Sequence, residues 1–125
     1  MSTRLILSSS ALFLATIGLA LTFAPHEILA TSDPLQTTAA QLLGAALCGF
    51  AFLNWMSKGT VMGGINGRPL AIANLAHFTI GGLALIKMAG QLEPSWFFLT
   101  IAAVYMLFAA LFARVAFFTR APSSN

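Results

Sequence analysis

The chain has 125 residues, of which 58% are hydrophobic and 7% charged. Ordinary soluble domains run at about 45–50% apolar and about 25% charged, so this composition excludes a water-soluble globular protein and equally a disordered one. Six Lys and Arg against three Asp and Glu give a net charge of +3. Arg4, Lys58, Arg68, Lys87, Arg114 and Arg120 are nonetheless spread along the chain, and without a basic patch a nucleic-acid partner is excluded too.

A membrane-spanning helix takes roughly 20 apolar residues, and the sequence holds four such runs. Span 1 covers residues 5–24, LILSSSALFLATIGLALTFA, and Pro25 closes it. The opening MSTR before an apolar stretch has the look of a signal peptide. The stretch exceeds the usual apolar region of about 7–15 residues, and Ile28 stands where cleavage before Thr31 would want a small residue. Span 1 is therefore expected to be retained. Span 2 covers residues 35–56 and is opened by Ser32-Asp33-Pro34: Asp33 can cap the helix, and Pro34 fits a first turn that needs no N–H. Cys48 lies alone inside this span, so there is no disulfide framework, no CxxC chemistry and no zinc site. It reads as a small packing residue.

A glycine-rich loop, residues 58–68, leads into span 3 at residues 70–90, opened by Arg68-Pro69. Span 4 covers residues 96–118, opened by Glu93-Pro94-Ser95, with Pro122 beyond its end. With four spans, Arg4, Lys58, Arg68, Arg114 and Arg120 fall on one side and Lys87 on the other. Basic residues mark the cytoplasmic side, which places both termini in the cytoplasm.

Read at steps of three and four residues, each span shows a stripe of mostly small or polar side chains. Span 1 gives Ser8, Ala11, Ala15, Gly18 and Thr22; span 2 gives Thr37, Gln41, Gly44, Cys48, Ala51 and Trp55. Span 3 gives Leu70, Asn74, His77, Gly81, Ala84 and Met88; span 4 gives Ala102, Met106, Ala109, Ala113 and Ala116. In lipid, small residues permit close approach and polar ones bridge helices. The 3.5-residue step predicts a single all-α domain over residues 1–125, a left-handed antiparallel bundle of four transmembrane helices.

Ionisable and polar residues inside a span are functional candidates by default. His77 is the one ionisable side chain well inside, Asn74 lies one turn earlier, and Asn54 sits near the end of span 2 beside Trp55. The short loop between spans 2 and 3 leads us to expect Asn54, Asn74 and His77 to converge, with Tyr105 of span 4 facing the same place. Two readings stay open: hydrogen bonds that lock helices, or a polar cavity for a headgroup or small hydrophobic molecule. A bis-His haem would need a second His at similar depth, and His26 is at the opposite interface, so no cofactor is expected. Gly64, Gly67 and Arg68, just before span 3, suggest a second candidate, since backbone N–H groups and an Arg at a helix start suit an anionic lipid headgroup. The Lys-Ser/Thr end of a phosphate-binding Walker loop is missing.

The strings Phe23-Ala24-Pro25, LLGAALCGFAFLNW at 42–55 and GRPLAIANLAHF at 67–78 resemble small bacterial four-span membrane proteins of the DoxX-like kind. The resemblance implies a four-helix bundle in a bacterial inner membrane and supplies no catalytic residue. Small multidrug exporters depend on a carboxylate in the first span, which this span 1 lacks. The residues favour a non-enzymatic packing or interaction protein, self-associating or serving as a subunit of a membrane complex. A lipid or small-molecule binder is the alternative, and an oligomeric transporter the weaker third.

Overall fold

The computed structural model describes residues 2–91 and 96–119. Helix α1 runs Thr3–Phe23, a short α2 follows at Pro25–Leu29, α3 runs Pro34–Met56, α4 Gly67–Ala89 and α5 Trp96–Phe118. Among the described residues the regular structure is entirely helical, and α1, α3, α4 and α5 are each long and apolar enough to cross a membrane. The chain is an all-α, multi-pass membrane protein.

Local chemistry sets most boundaries. Ser2 Oγ accepts from Leu5 N–H at 3.4 Å and caps α1. Asp33 Oδ1 accepts from Leu35 N–H at 3.0 Å and caps α3, with Pro34 in the first turn. Two boundaries differ from expectation. Pro25 ends α1 but also opens α2, because proline is pre-organised for a first helical turn as well as unfit for an interior. Helix α4 begins at Gly67, before Pro69 rather than after it; the first-turn N–H groups have no intrahelical partner, so proline at the third position sacrifices nothing. Between α2 and α3, Ala30 takes a left-handed conformation with φ 48°. The Glu93-Pro94-Ser95 opening of α5, Arg120 and Pro122 lie outside the described residues.

The chain divides into two compact units, Met1–Gly59 and Thr60–Asn125. In the first, α1 packs antiparallel on α3. Their closest approach is at Gly18 and Gly44: a Cβ on Gly44 would stand 2.7 Å from Gly18 O and 2.9 Å from Thr22 N, and one on Gly18 would stand 2.8 Å from Cys48 Sγ. Gln41 Nε2 reaches Thr22 O at 3.4 Å. In the second, α4 packs antiparallel on α5 through an aromatic core, with Phe78 stacked on Phe108 at 5.0 Å and on Phe112 at 5.7 Å.

The small stripes are thus half of the packing. Gly18, Gly44, Ala51, Ala102, Ala109 and Ala116 are buried, whereas Gln41, Trp55, Ala84 and Met106 of the same stripes are exposed. Large side chains share the interior: Ile6, Leu7, Leu14, Leu47, Phe78 and Phe112 are each almost wholly covered. Leu12, Leu42, Phe52, Ile72, Ile80, Leu83 and Leu107 are exposed.

Candidate functional site

Each hairpin buries polar side chains within its spans. In the first, Asn54 lies on α3 two residues before its end, and Ser10 faces it from α1; both are 0% exposed. Asn54 Nδ2 donates to Ser10 Oγ at 3.1 Å, and Ser10 Oγ donates to Leu7 O at 3.0 Å. A side-chain amide is thereby tied through a hydroxyl to a backbone carbonyl of the neighbouring helix. Ser10 was not singled out by the sequence, where it is one of three consecutive serines; its neighbour Ser9 turns back onto Leu5 O instead.

In the second hairpin Asn74, His77 and Gly81 succeed one another on one face of α4. Asn74 is fully buried and its Nδ2 donates to Leu70 O at 3.0 Å. His77 stands ten residues into α4, about 15 Å along its axis at 1.5 Å per residue. That is near the midpoint of this 23-residue helix. Its Nε2 is 3.5 Å from the Tyr105 hydroxyl, and the two rings are tilted at 49° with centroids 5.6 Å apart. Tyr105 reaches this position because of Gly81: a Cβ there would meet the ring at 2.7 Å. Phe78 closes the other side, edge-on to both His77 at 5.2 Å and Tyr105 at 5.2 Å.

The structure therefore brings His77 and Tyr105 together within one hairpin, with Asn74 one turn earlier on α4 bonded to its own helix, while Asn54 belongs to the other hairpin and pairs there with Ser10. Chemically these groups are amides, a phenol and an imidazole engaged with one another or with backbone carbonyls. Among the described residues no three His, Cys, Asp or Glu side chains come together as a metal site.

The residues of the glycine-rich loop do meet in one turn. Gly64 N–H donates to Val61 O at 3.0 Å, and the N–H groups of Gly67 and Arg68 both donate to Gly64 O at 3.2 Å. The amide hydrogens that would cradle an anion are thus turned into the loop itself, and Pro69 has none. Gly67 is required sterically, because a Cβ there would collide with the Met62 backbone. The Arg68 side chain is exposed.

A third feature was not foreseen. On one face of the first hairpin Ala11, Leu12, Ala15 and Leu19 of α1 and Cys48, Ala51, Phe52 and Trp55 of α3 line an apolar groove of about 320 Å³. Its floor is made by small residues that the stripe reading assigned to the helix seam. Flanking Leu and Phe walls turn the same small residues into a depression. No family model matches the chain, and neither does any curated protein or solved structure.

Proposed function

We propose that the chain is a non-enzymatic membrane protein that acts by packing, with itself or as a subunit of a membrane complex, in a bacterial inner membrane. The observation that carries this reading is the use made of the polar groups inside the spans. Asn54 is spent on Ser10, Asn74 on Leu70 O, and His77 faces Tyr105 within the same hairpin. The Asn54–Ser10 and His77–Tyr105 pairs each join two helices, and contacts of this kind hold helices in register in an apolar solvent, whereas Asn74 bonds back to its own helix. A nucleophile, an acid–base pair or a metal centre needs groups held ready for substrate, and this arrangement offers hydrogen-bonded ones.

The distribution of basic residues supports an orientation with both termini in the cytoplasm. The DoxX-like layout agrees with a bacterial setting. Lipid or small-molecule binding through Asn74, His77 and Tyr105, with Asn54 contributing, is the competing reading.

Purification of the full chain in lipid nanodiscs, with native mass spectrometry of the assembly, tests the proposal. The expected result is a fixed stoichiometry of copies, or of this chain with another membrane subunit. A monomer carrying one tightly held small molecule, released by His77→Gln without loss of helicity, would overturn it.

A further inference from the structure

The apolar groove of the first hairpin has a charged mouth. Trp55 lines it, and Lys58 Nζ stands 3.4 Å over the centroid of the Trp55 ring. Arg4 enters from the other helix. It precedes Ala11 and Ala15 by seven and eleven residues, spacings that keep it on the groove's face of α1. Because α1 and α3 are antiparallel, the start of α1 and the turn after α3 lie at the same end, and the turn Ser57–Gly59 packs against α1.

No acid of this hairpin competes for those cations. Glu27 and Asp33 are at its opposite end: Asp33 caps the first turn of the 23-residue α3 and Lys58 follows its last, a separation of about 35 Å. Down the groove, Trp55 to Cys48 spans seven residues of α3, about 10 Å of depth. Its walls are apolar along that length, as a hydrocarbon chain requires. The Trp ring at the mouth is the side chain that membranes place at headgroup level.

We propose that this groove holds one acyl chain of an anionic phospholipid, with the lipid phosphate at its mouth between Lys58 and Arg4. Charge complementarity selects the occupant: two cations and no carboxylate sit where the headgroup must lie, above a slot that accepts only hydrocarbon. The placement also agrees with the cytoplasmic leaflet, where anionic lipids attract basic residues at the ends of spans.

The test uses the full chain with Trp96→Phe, which leaves Trp55 as its one tryptophan reporter. The protein is reconstituted with mixtures containing phosphatidylglycerol or phosphatidylcholine brominated in the upper acyl chain, and Trp55 quenching is followed against lipid fraction. A basic residue near an anionic lipid surface is worth about 1 kcal/mol, or about fivefold in affinity. Phosphatidylglycerol is therefore expected to quench at about a fivefold or greater lower mole fraction than phosphatidylcholine. Lys58→Gln should lower that preference about fivefold, and Arg4→Gln should lower it further. Ala15→Leu, which fills the groove, should weaken quenching by both lipids. The two charge substitutions are at exposed or half-exposed sites, so their result stands if Ala15→Leu fails to fold. Equal quenching by the two lipids, a preference unchanged by Lys58→Gln, or a groove closed to both lipids by a second copy of the chain would each overturn the proposal.

Discussion

Gly44→Ala adds one methyl group at the crossing of α1 and α3. The new Cβ would stand 2.5 Å from Thr22 Oγ1, 2.7 Å from Gly18 O and 2.9 Å from Thr22 N. Ordinary contacts lie at about 3.5–4.0 Å, so relief requires a movement of about 0.8 Å or more. The Thr22 hydroxyl is itself bonded to Gly18 O at 2.7 Å, and the other two atoms are backbone. Rotamer changes cannot provide that movement; the helices must separate, and with them the Asn54–Ser10 bond. Overpacking of this kind costs about 1–3 kcal/mol. Gly49→Ala is the internal control: it lies in the same helix, and a Cβ there meets nothing within 4 Å. It should be neutral or gain up to about 1 kcal/mol of helix propensity. Unfolding of both variants in mixed micelles, by denaturing-detergent titration with helicity as readout, gives the comparison. If Gly44→Ala proves as stable as Gly49→Ala, the Gly18–Gly44 contact is not the crossing point and the first hairpin has been described wrongly.

Other outcomes follow from the same geometry. A double-mutant cycle on Ser10→Ala and Asn54→Ala should give a coupling of about 0.6 kcal/mol and at most about 1.7; zero coupling would deny that their bond is formed in the membrane. Ala30→Gly should leave stability unchanged or raise it by up to about 1 kcal/mol, since it relieves a left-handed alanine, and a clear loss in the same titration would contradict the assigned turn. Thr37→Val removes a buried hydroxyl without a hydrogen-bond partner and should not destabilise, because an unsatisfied group carries only a desolvation cost. Reporter fusions at residues 4, 30 and 63 should report cytoplasmic, external and cytoplasmic locations in turn; an external signal at residue 63 refutes the orientation.

Four helices were legible because composition and the Pro signals at 25, 34 and 69 leave few alternatives. The finer boundaries were not, since proline both stops helices and starts them: Pro25 does both, and Pro69 sits inside the first turn it was expected to precede. Side-chain direction was only half legible. In water, a helix shows which face is buried by the contrast of apolar and polar residues. In lipid both faces are apolar, so nothing in the sequence distinguishes the buried Leu14 and Leu47 from the exposed Leu12 and Leu42. Small residues were visible but ambiguous, marking the crossing at Gly18 and Gly44 and the groove floor at Ala15. Depth singled out Asn54, Asn74, His77 and Tyr105 as polar groups inside spans, but not which of them pair: Asn54 bonds Ser10, Asn74 bonds Leu70 O, and His77 faces Tyr105. Ser10 was hidden among its serine neighbours, and only the fold shows which of the three turns inward.

The account rests on the Asn54–Ser10 and His77–Tyr105 pairs acting as helix locks, and a density map of the full chain purified in native lipid tests this most directly at His77. The map is expected to show the Tyr105 hydroxyl against the His77 ring, with the space above Gly81 filled by the tyrosine. Density for a bound molecule or a metal ligated by His77, with Tyr105 displaced, would contradict it.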